Sequence, residues 1–260
     1  MTKMAFITST GLHFRDTLKN PTTKNVKTEY GEVPVQIGTL FDNSQVVSMI
    51  RSGGNAPVPP HEVNYRANML ALQQLGVDWI LATSVTGGLN STSVSGQLVL
   101  VDQFIDFTRH RPGTIFGKER FQFIDFTEPY CPTLRHHILA AATQLGIQIS
   151  PHGCYVGVDG PRYETAAEVR MYRMLGGDVI GMSNIPEAIF ARELGMCYAT
   201  IAIISNSGAG LSQSPILIED INAATSRAGE RLLELLLHSG QKIAQIDVCE
   251  CVPKTRVIQR

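Results

Sequence analysis

Short apolar runs punctuate this chain, and several hold almost no polar side chain. Runs of about five to seven residues fall at 5–8, 33–38, 45–50, 79–84, 98–101, 154–158, 179–182 and 198–205, the length and texture of β-strands. A strand that is apolar on both of its alternating faces has to be covered on both, which is how strands sit between two layers of helix. Longer amphipathic segments separate the runs. Pro59-Pro60-His61-Glu62 opens a helix that the pattern carries to Leu75 and stops at Gly76, and a second is predicted over 128–145, ended by Gly146. Thr165 and Glu168 form a T-x-x-E capping box that starts a third, ended by Gly176-Gly177. Asn184 and Glu187 repeat the box with Pro186 in the first turn, predicting a short helix to about Leu194. A last helix is predicted over 218–238. The alternation, unbroken by a linker or a shift in composition, predicts one α/β domain over residues 1–260 with a mixed central sheet flanked by helices. Segment 109–120 is polar, contains Gly and Pro, and is predicted to be an exposed loop.

Charge and cysteine usage narrow the function. The net charge is -1 and the pI about 6.7, without the basic excess of a nucleic-acid binder. No apolar run approaches the roughly 20 residues of a membrane span, and the first seven residues read as a strand rather than a signal peptide. Five scattered cysteines point to a reducing cytoplasm. Cys249 and Cys251 read as two free thiols in a tail, and no His, Cys, Asp or Glu cluster has metal-binding spacing.

Three predicted strand ends could hold a small anion: Thr8-Ser9-Thr10-Gly11, Arg51-Ser52-Gly53-Gly54 and Thr83-Ser84-Val85-Thr86-Gly87-Gly88. Ligands in open α/β folds bind beyond the carboxyl ends of strands, where hydroxyls, glycine-freed N–H groups and a guanidinium can meet a phosphate. The same residues also make ordinary turns. A Walker A loop, a G-x-G-x-x-G and a nucleophile elbow are all absent. The stretch from Gly160 to Asn206 then sets a carboxylate (Glu164), a thioether (Met182), a hydroxyl (Ser183) and an amide (Asn206) at the ends of successive predicted elements. From the residues alone, this is an α/β enzyme with a small-anion site.

Several ordered motifs say more: Pro60-His61-Glu62-Val63-Asn64-Tyr65-Arg66-Ala67-Asn68, Asp102-Gln103-Phe104-Ile105-Asp106-Phe107-Thr108, Glu128-Pro129-Tyr130-Cys131-Pro132, Gly160-Pro161-Arg162-Tyr163-Glu164-Thr165 and Gly181-Met182-Ser183-Asn184-Ile185-Pro186-Glu187. With them the chain resembles, over most of its length, the trimeric purine nucleoside phosphorylase and methylthioadenosine phosphorylase family. The resemblance implies a nucleoside phosphorylase fold, its sheet partly barrel-like, and the phosphorolysis of a purine nucleoside with inorganic phosphate as co-substrate and neither cofactor nor metal. It implies phosphate contacts from Thr10, Arg51, Ser52, Ser84, Val85 (through its backbone) and Ser183. Met182 would lie under the ribose, Tyr163 beside the base, and Glu164 and Asn206 against the base edge as the catalytic pair. Phe123 would reach the sugar 5′ pocket of a neighbouring subunit in a homotrimer.

Chemistry separates the possible bases. Adenine-reading members carry Asp at the position of Asn206 and again two residues on, where this chain has Gly208. An amide can donate to a 6-oxo group and accept from a protonated N7, while Glu164 accepts from N1–H. A 6-oxopurine is therefore expected: inosine, guanosine or 5′-methylthioinosine. At the sugar end, inosine-type members place a histidine on the segment entering the last helix, where this chain has Ile218; that suits a methylthio group as well as a hydroxyl. The first loop has Thr8-Ser9 in place of the family's two glycines, and Ser52 and Ala56 stand where histidines are usual, which predicts weaker phosphate binding. Methylthioadenosine phosphorolysis and a nucleoside-binding protein of low activity are the competing readings.

Overall fold

The computed structural model describes residues 3–9, 14–40, 44–53, 57–117, 120–213, 215–246, 249, 251 and 256–259. Its strands are β1 (Lys3–Thr8), β2 (Lys19–Thr28), β3 (Gly31–Leu40), β4 (Ser44–Ile50), β5 (Val77–Gly88), β6 (Leu98–Leu100), β7 (Gln103–Asp106), β8 (Arg120–Phe123), β9 (Ile149–Ser150), β10 (Cys154–Gly157), β11 (Val179–Gly181), β12 (Cys197–Ser207) and β13 (Arg256–Gln259). The helices are α1 (Tyr65–Gln74), α2 (Pro132–Leu145), α3 (Ala166–Met174), α4 (Asn184–Glu193) and α5 (Ile218–Ile243).

β5 organises the sheet. β1 runs parallel along one edge of its first half, and β12 runs parallel along the other edge from Trp79 to Gly88. β11 pairs antiparallel with its last two residues, Gly87 and Gly88. One limb continues β11-β10-β7 and the other β12-β6-β9, while β1 leads outward through β4, β3 and β2. Only Val101 and Asp102 separate β6 from β7, so both limbs return to one chain segment. The strands β5, β12, β6–β7, β10 and β11 thus close on themselves, and β1 to β4 extend the sheet beyond the ring. This is the mixed α/β architecture expected.

The apolar runs are explained by helices on both faces. Met4, Phe6, Trp79, Leu81, Ile201 and Ile203 point to one side, where Leu134 and Ile138 of α2 and Leu232 and Leu235 of α5 cover them. The intervening Ala5, Ile7, Ile80, Ala82 and Ala202 point to the other, against Met69 and Leu72 of α1 and Ile185 and Phe190 of α4. Successive residues of a strand face opposite ways, so a strand buried twice has no polar position to give away its period.

The helix ends follow local chemistry. Thr165 caps α3 with both halves of the capping box formed, and Gly146 closes α2 in the left-handed region at φ 66°. Three expectations shift. Residues 60–62 make a short 3-10 turn and α1 starts only at Tyr65, because the Asn64 side chain takes the cap by accepting from the Ala67 N–H. α2 starts at Pro132, with Cys131 as its cap. α5 runs on to Ile243. The strand β2 has no counterpart among the apolar runs. It is an edge strand with an exposed, Lys- and Thr-rich pattern and a proline, features that discourage pairing with another chain.

Candidate active site

β1, β4, β5 and β12 run in one direction, and their carboxyl ends open into a cavity of about 360 Å³, large enough for a small ligand. Its wall includes Ser9 after β1, Arg51 and Ser52 after β4, Val85, Thr86 and Gly87 of β5, Gly181, Met182 and Ser183 at the end of β11, and Ser205 and Asn206 of β12. Tyr163 and Glu164 close one side, and Ile221, Asn222 and Thr225 of α5 another.

Arg51 is buried, 5% exposed, and its geometry is set by Glu187. Arg51 Nε donates to Glu187 Oε1 at 2.5 Å and Nη2 to Oε2 at 2.9 Å, a bidentate pair that the Tyr198 hydroxyl joins by donating to Oε2 at 2.7 Å. Asn68 holds the Arg51 carbonyl at 2.9 Å. Arg51 Nη1 makes no hydrogen bond within the described residues, leaving a charged donor for an anion. Burial alone would push the Arg51 pKa down, but the Glu187 carboxylate outweighs it and the net shift is upward, so the group stays charged. The sequence pattern makes Glu187 half of a capping box with Asn184. The cap of α4 is Ser183, and Glu187 is spent on the arginine instead.

Met182 is held from below. Arg111 Nη2 donates to its carbonyl at 2.5 Å, the Tyr65 hydroxyl donates to the same oxygen at 3.3 Å, and the Arg111 guanidinium lies 5.1 Å from the centre of the Tyr65 ring. Residues 109–117 form the largely exposed loop expected, but the Arg111 side chain is 4% exposed and turned inward onto the Met182 carbonyl. Gly160, at φ 72°, lies so near Met182 that a Cβ there would meet the sulfur at 2.4 Å.

Ser183 lines the cavity, whereas Ser84 is fully buried and sits behind it with its hydroxyl 3.2 Å from the Ser183 hydroxyl. The Tyr155 hydroxyl accepts from the Ser183 N–H at 3.2 Å. Asn206 Oδ1 accepts from the Ser205 hydroxyl at 2.8 Å and Nδ2 donates to the Ser207 carbonyl at 2.9 Å. Each amide atom retains capacity for one further bond. Burial pushes the Glu164 carboxyl above its usual range, and the Glu168 carboxylate adds to the shift. Gly208 is no part of the wall. A Cβ on it would stand 3.0 Å from the Gly88 carbonyl and 3.1 Å from Val169, so an aspartate does not fit there without displacing its neighbours.

The cavity therefore gathers Arg51, Ser52, Val85, Tyr163, Glu164, Met182, Ser183 and Asn206. Phe123, on β8, and Ile218, at the start of α5, lie outside it, 74% and 60% exposed. Thr10 and Ala56 lie outside the described residues. Glu187, Tyr65, Tyr155 and Arg111 were not anticipated. Each acts across more than 20 positions of sequence, where no local spacing could announce it. Cys249 and Cys251 are free thiols as expected, but not in a bare tail: their sulfurs lie 3.6 Å from that of Cys131 and 3.4 Å from that of Cys197.

Residues 3–239 match the family model described as the phosphorylase superfamily. A 6-oxopurine nucleoside phosphorylase of Pyrococcus furiosus is 43% identical over 240 residues, covering 90% of each chain. A probable S-methyl-5′-thioinosine phosphorylase of Thermodesulfovibrio yellowstonii is 35% identical over 252 residues, covering 96% of this chain and 94% of that protein. Among solved structures, a methylthioadenosine phosphorylase from Schistosoma mansoni in complex with adenine superposes with a TM-score of 0.90 at 27% identity, covering 95% of this chain and 93% of that one.

Proposed function

The chain belongs to the phosphorylase superfamily, and from that premise we propose that it cleaves 6-oxopurine nucleosides with inorganic phosphate, as a transferase of purine salvage in the cytoplasm. The observation that carries this reading is one cavity whose wall brings a buried guanidinium and two hydroxyls (Arg51, Ser52, Ser183) together with a carboxylate and an amide (Glu164, Asn206), with Val85 and Met182 in the same wall. A phosphate oxygen attacks the anomeric carbon as the bond to the base breaks, giving a free base and a sugar 1-phosphate. The protein supplies no covalent nucleophile. It holds the phosphate and sugar in register and stabilises charge that develops on the leaving base.

The Arg51 Nη1 group serves the phosphate, and the hydroxyls of Ser52 and Ser183 and the backbone N–H of Val85 complete its surroundings. Asn206 donates to the 6-oxo oxygen and accepts from N7–H, and ionised Glu164 accepts from N1–H. The resemblance of the chain both to the 6-oxopurine phosphorylase and to the probable methylthioinosine phosphorylase supports this assignment of the base and keeps both sugar ends open. In the cavity wall, Val58 and Ile221 are apolar and Asn222 and Thr225 polar, a mixture that accepts a 5′-hydroxyl or a methylthio group.

Phosphate dependence tests the reaction. Purified protein incubated with inosine, guanosine or methylthioinosine is expected to release base and sugar 1-phosphate in equal amounts, and only when phosphate is present. Saturable nucleoside binding without turnover would instead support a nucleoside-binding protein, the outcome that Ser52 and Ala56 make worth measuring.

Glu164 imposes a pH dependence. Its ionised form accepts the proton bond from the base, and its pKa is raised by burial. The log of kcat/KM for inosine is therefore expected to fall with decreasing pH, beginning above the ordinary carboxylate range, and Glu164→Gln is expected to lower kcat/KM by roughly 10- to 100-fold and abolish that acid limb. An unchanged acid limb in Glu164→Gln would remove Glu164 from its role.

Exposed Phe123 and Ile218 further support a homotrimer in which Phe123 completes a neighbour's 5′ pocket. Sedimentation equilibrium should give three times the chain mass of 28.4 kDa; a monomer would contradict it.

A further inference from the structure

Four of the five cysteines converge outside the nucleoside cavity. Cys131 caps α2, Cys197 opens β12, and Cys249 and Cys251 form a C-x-C after α5. All four sulfurs lie within 4.8 Å of one another, and each cysteine of the C-x-C makes its short contact with a different buried partner, Cys249 with Cys131 and Cys251 with Cys197. Cys131 and Cys197 are 2% and 3% exposed.

The spacing has a chemical meaning. A tetrahedral Zn²⁺ with Zn–S bonds of about 2.3 Å separates its sulfurs by about 3.8 Å, whereas a disulfide needs about 2.0 Å. The observed contacts of 3.4 and 3.6 Å, with none of the six separations beyond 4.8 Å, bracket the tetrahedral edge. Two disulfides, Cys131–Cys249 and Cys197–Cys251, would also use all four sulfurs, but each pair would have to close from 3.6 or 3.4 Å to about 2.0 Å; one cation takes all four at the spacing they have.

The surroundings suit thiolates. The Leu134 N–H at the start of α2 donates to Cys131 Sγ at 3.4 Å, and the Thr133 hydroxyl lies 3.2 Å from Cys249 Sγ, placed to donate once that sulfur is ionised. Hydrogen bonds of this kind orient metal-bound sulfur. Arg192 donates to the Cys251 carbonyl at 2.5 Å and also to the Glu128 carbonyl, fixing the C-x-C against the body and setting positive charge beside it.

We propose that Cys131, Cys197, Cys249 and Cys251 form a closed tetrathiolate site for a soft divalent cation, Zn²⁺, that fastens the segment after α5 to the starts of α2 and β12. Binding replaces the four S–H protons by bonds to the cation, so that Zn²⁺ and four thiols give a site of net charge -2 and four released protons. With four protein ligands the site has no open position, so its role is structural. Affinity falls as pH falls, because protons compete for the sulfurs.

Protein purified under reducing conditions with Zn²⁺ and dialysed is expected to hold one zinc per chain by plasma emission spectroscopy. Replacement by Co²⁺ should give the intense visible absorption of tetrahedral cobalt with thiolate charge-transfer bands. The doubly substituted Cys249→Ser/Cys251→Ser protein keeps the buried pair, and is expected to lose the metal while retaining nucleoside cleavage. If that variant does not fold, stripping the wild type with a chelator should still lower its melting temperature, with recovery on adding Zn²⁺. Substoichiometric metal with all four thiols reactive, or an unreduced mass short by two hydrogens per bridge, would overturn the proposal; the latter would show disulfides in its place.

Discussion

Asn206→Asp is expected to turn the cavity from 6-oxopurines toward 6-aminopurines. The wild-type amide has one N–H and one lone pair beyond its bonds to Ser205 and Ser207, a donor–acceptor pair that matches a 6-oxo oxygen and a protonated N7. An aspartate has no donor, so a 6-oxo oxygen facing it is left against a carboxylate. An unsatisfied buried polar group costs about 1–3 kcal/mol, a loss of roughly 5- to 150-fold in kcat/KM for inosine at about 1.4 kcal/mol per tenfold. The gain for adenosine-type substrates should be smaller than that loss, because Gly208 offers no second carboxylate. Steady-state rates on a matched pair of nucleosides measure the change. A preference that stays put in the variant would mean that Asn206 does not read the base.

Glu187→Ala is expected to be the most destabilising single change near the site. Arg51 and Glu187 are 5% and 1% exposed, and removing one partner of a buried pair strands the other charge, at about 3–5 kcal/mol. For a chain of this size each kcal/mol lowers the melting temperature by roughly 2–4 °C, so a drop of about 10 °C is expected in a thermal scan. Glu187→Gln keeps the shape and separates stability from function: its loss of stability should be smaller, while KM for phosphate rises because the guanidinium is no longer held by two charged bonds. An Ala variant that melts with the wild type would show that the pair is not what orders Arg51.

Much of the fold was legible because burial writes itself into composition. The runs at 79–84 and 198–205 lie within β5 and β12, both covered on two faces, and the Thr165 capping box marks the start of α3 without tertiary help. The edge strand β2 was not legible, since an exposed strand rich in Lys and Thr has no apolar signature. In the site, the residues that would touch substrate belong to recognisable motifs, and Glu164, Met182, Ser183 and Asn206 do meet at one cavity. Those that aim them do not. Glu187 fits a local capping pattern and is taken away from it by an arginine 136 positions earlier, and Arg111 sits in a segment whose composition is that of a surface loop. Both depend on contacts that only the folded chain creates. The same is true of the cysteines, where Cys131 and Cys249 stand 118 positions apart.

The base assignment is most directly tested by comparing wild-type kcat/KM for 5′-methylthioinosine and 5′-methylthioadenosine at saturating phosphate. The two substrates share the sugar and its 5′ group and differ only in the substituent and protonation at the six-membered ring of the base. With Asn206 and Glu164 paired to a 6-oxopurine, methylthioinosine should be preferred by roughly 10-fold or more. Equal rates, or faster release of adenine than of hypoxanthine, would contradict it.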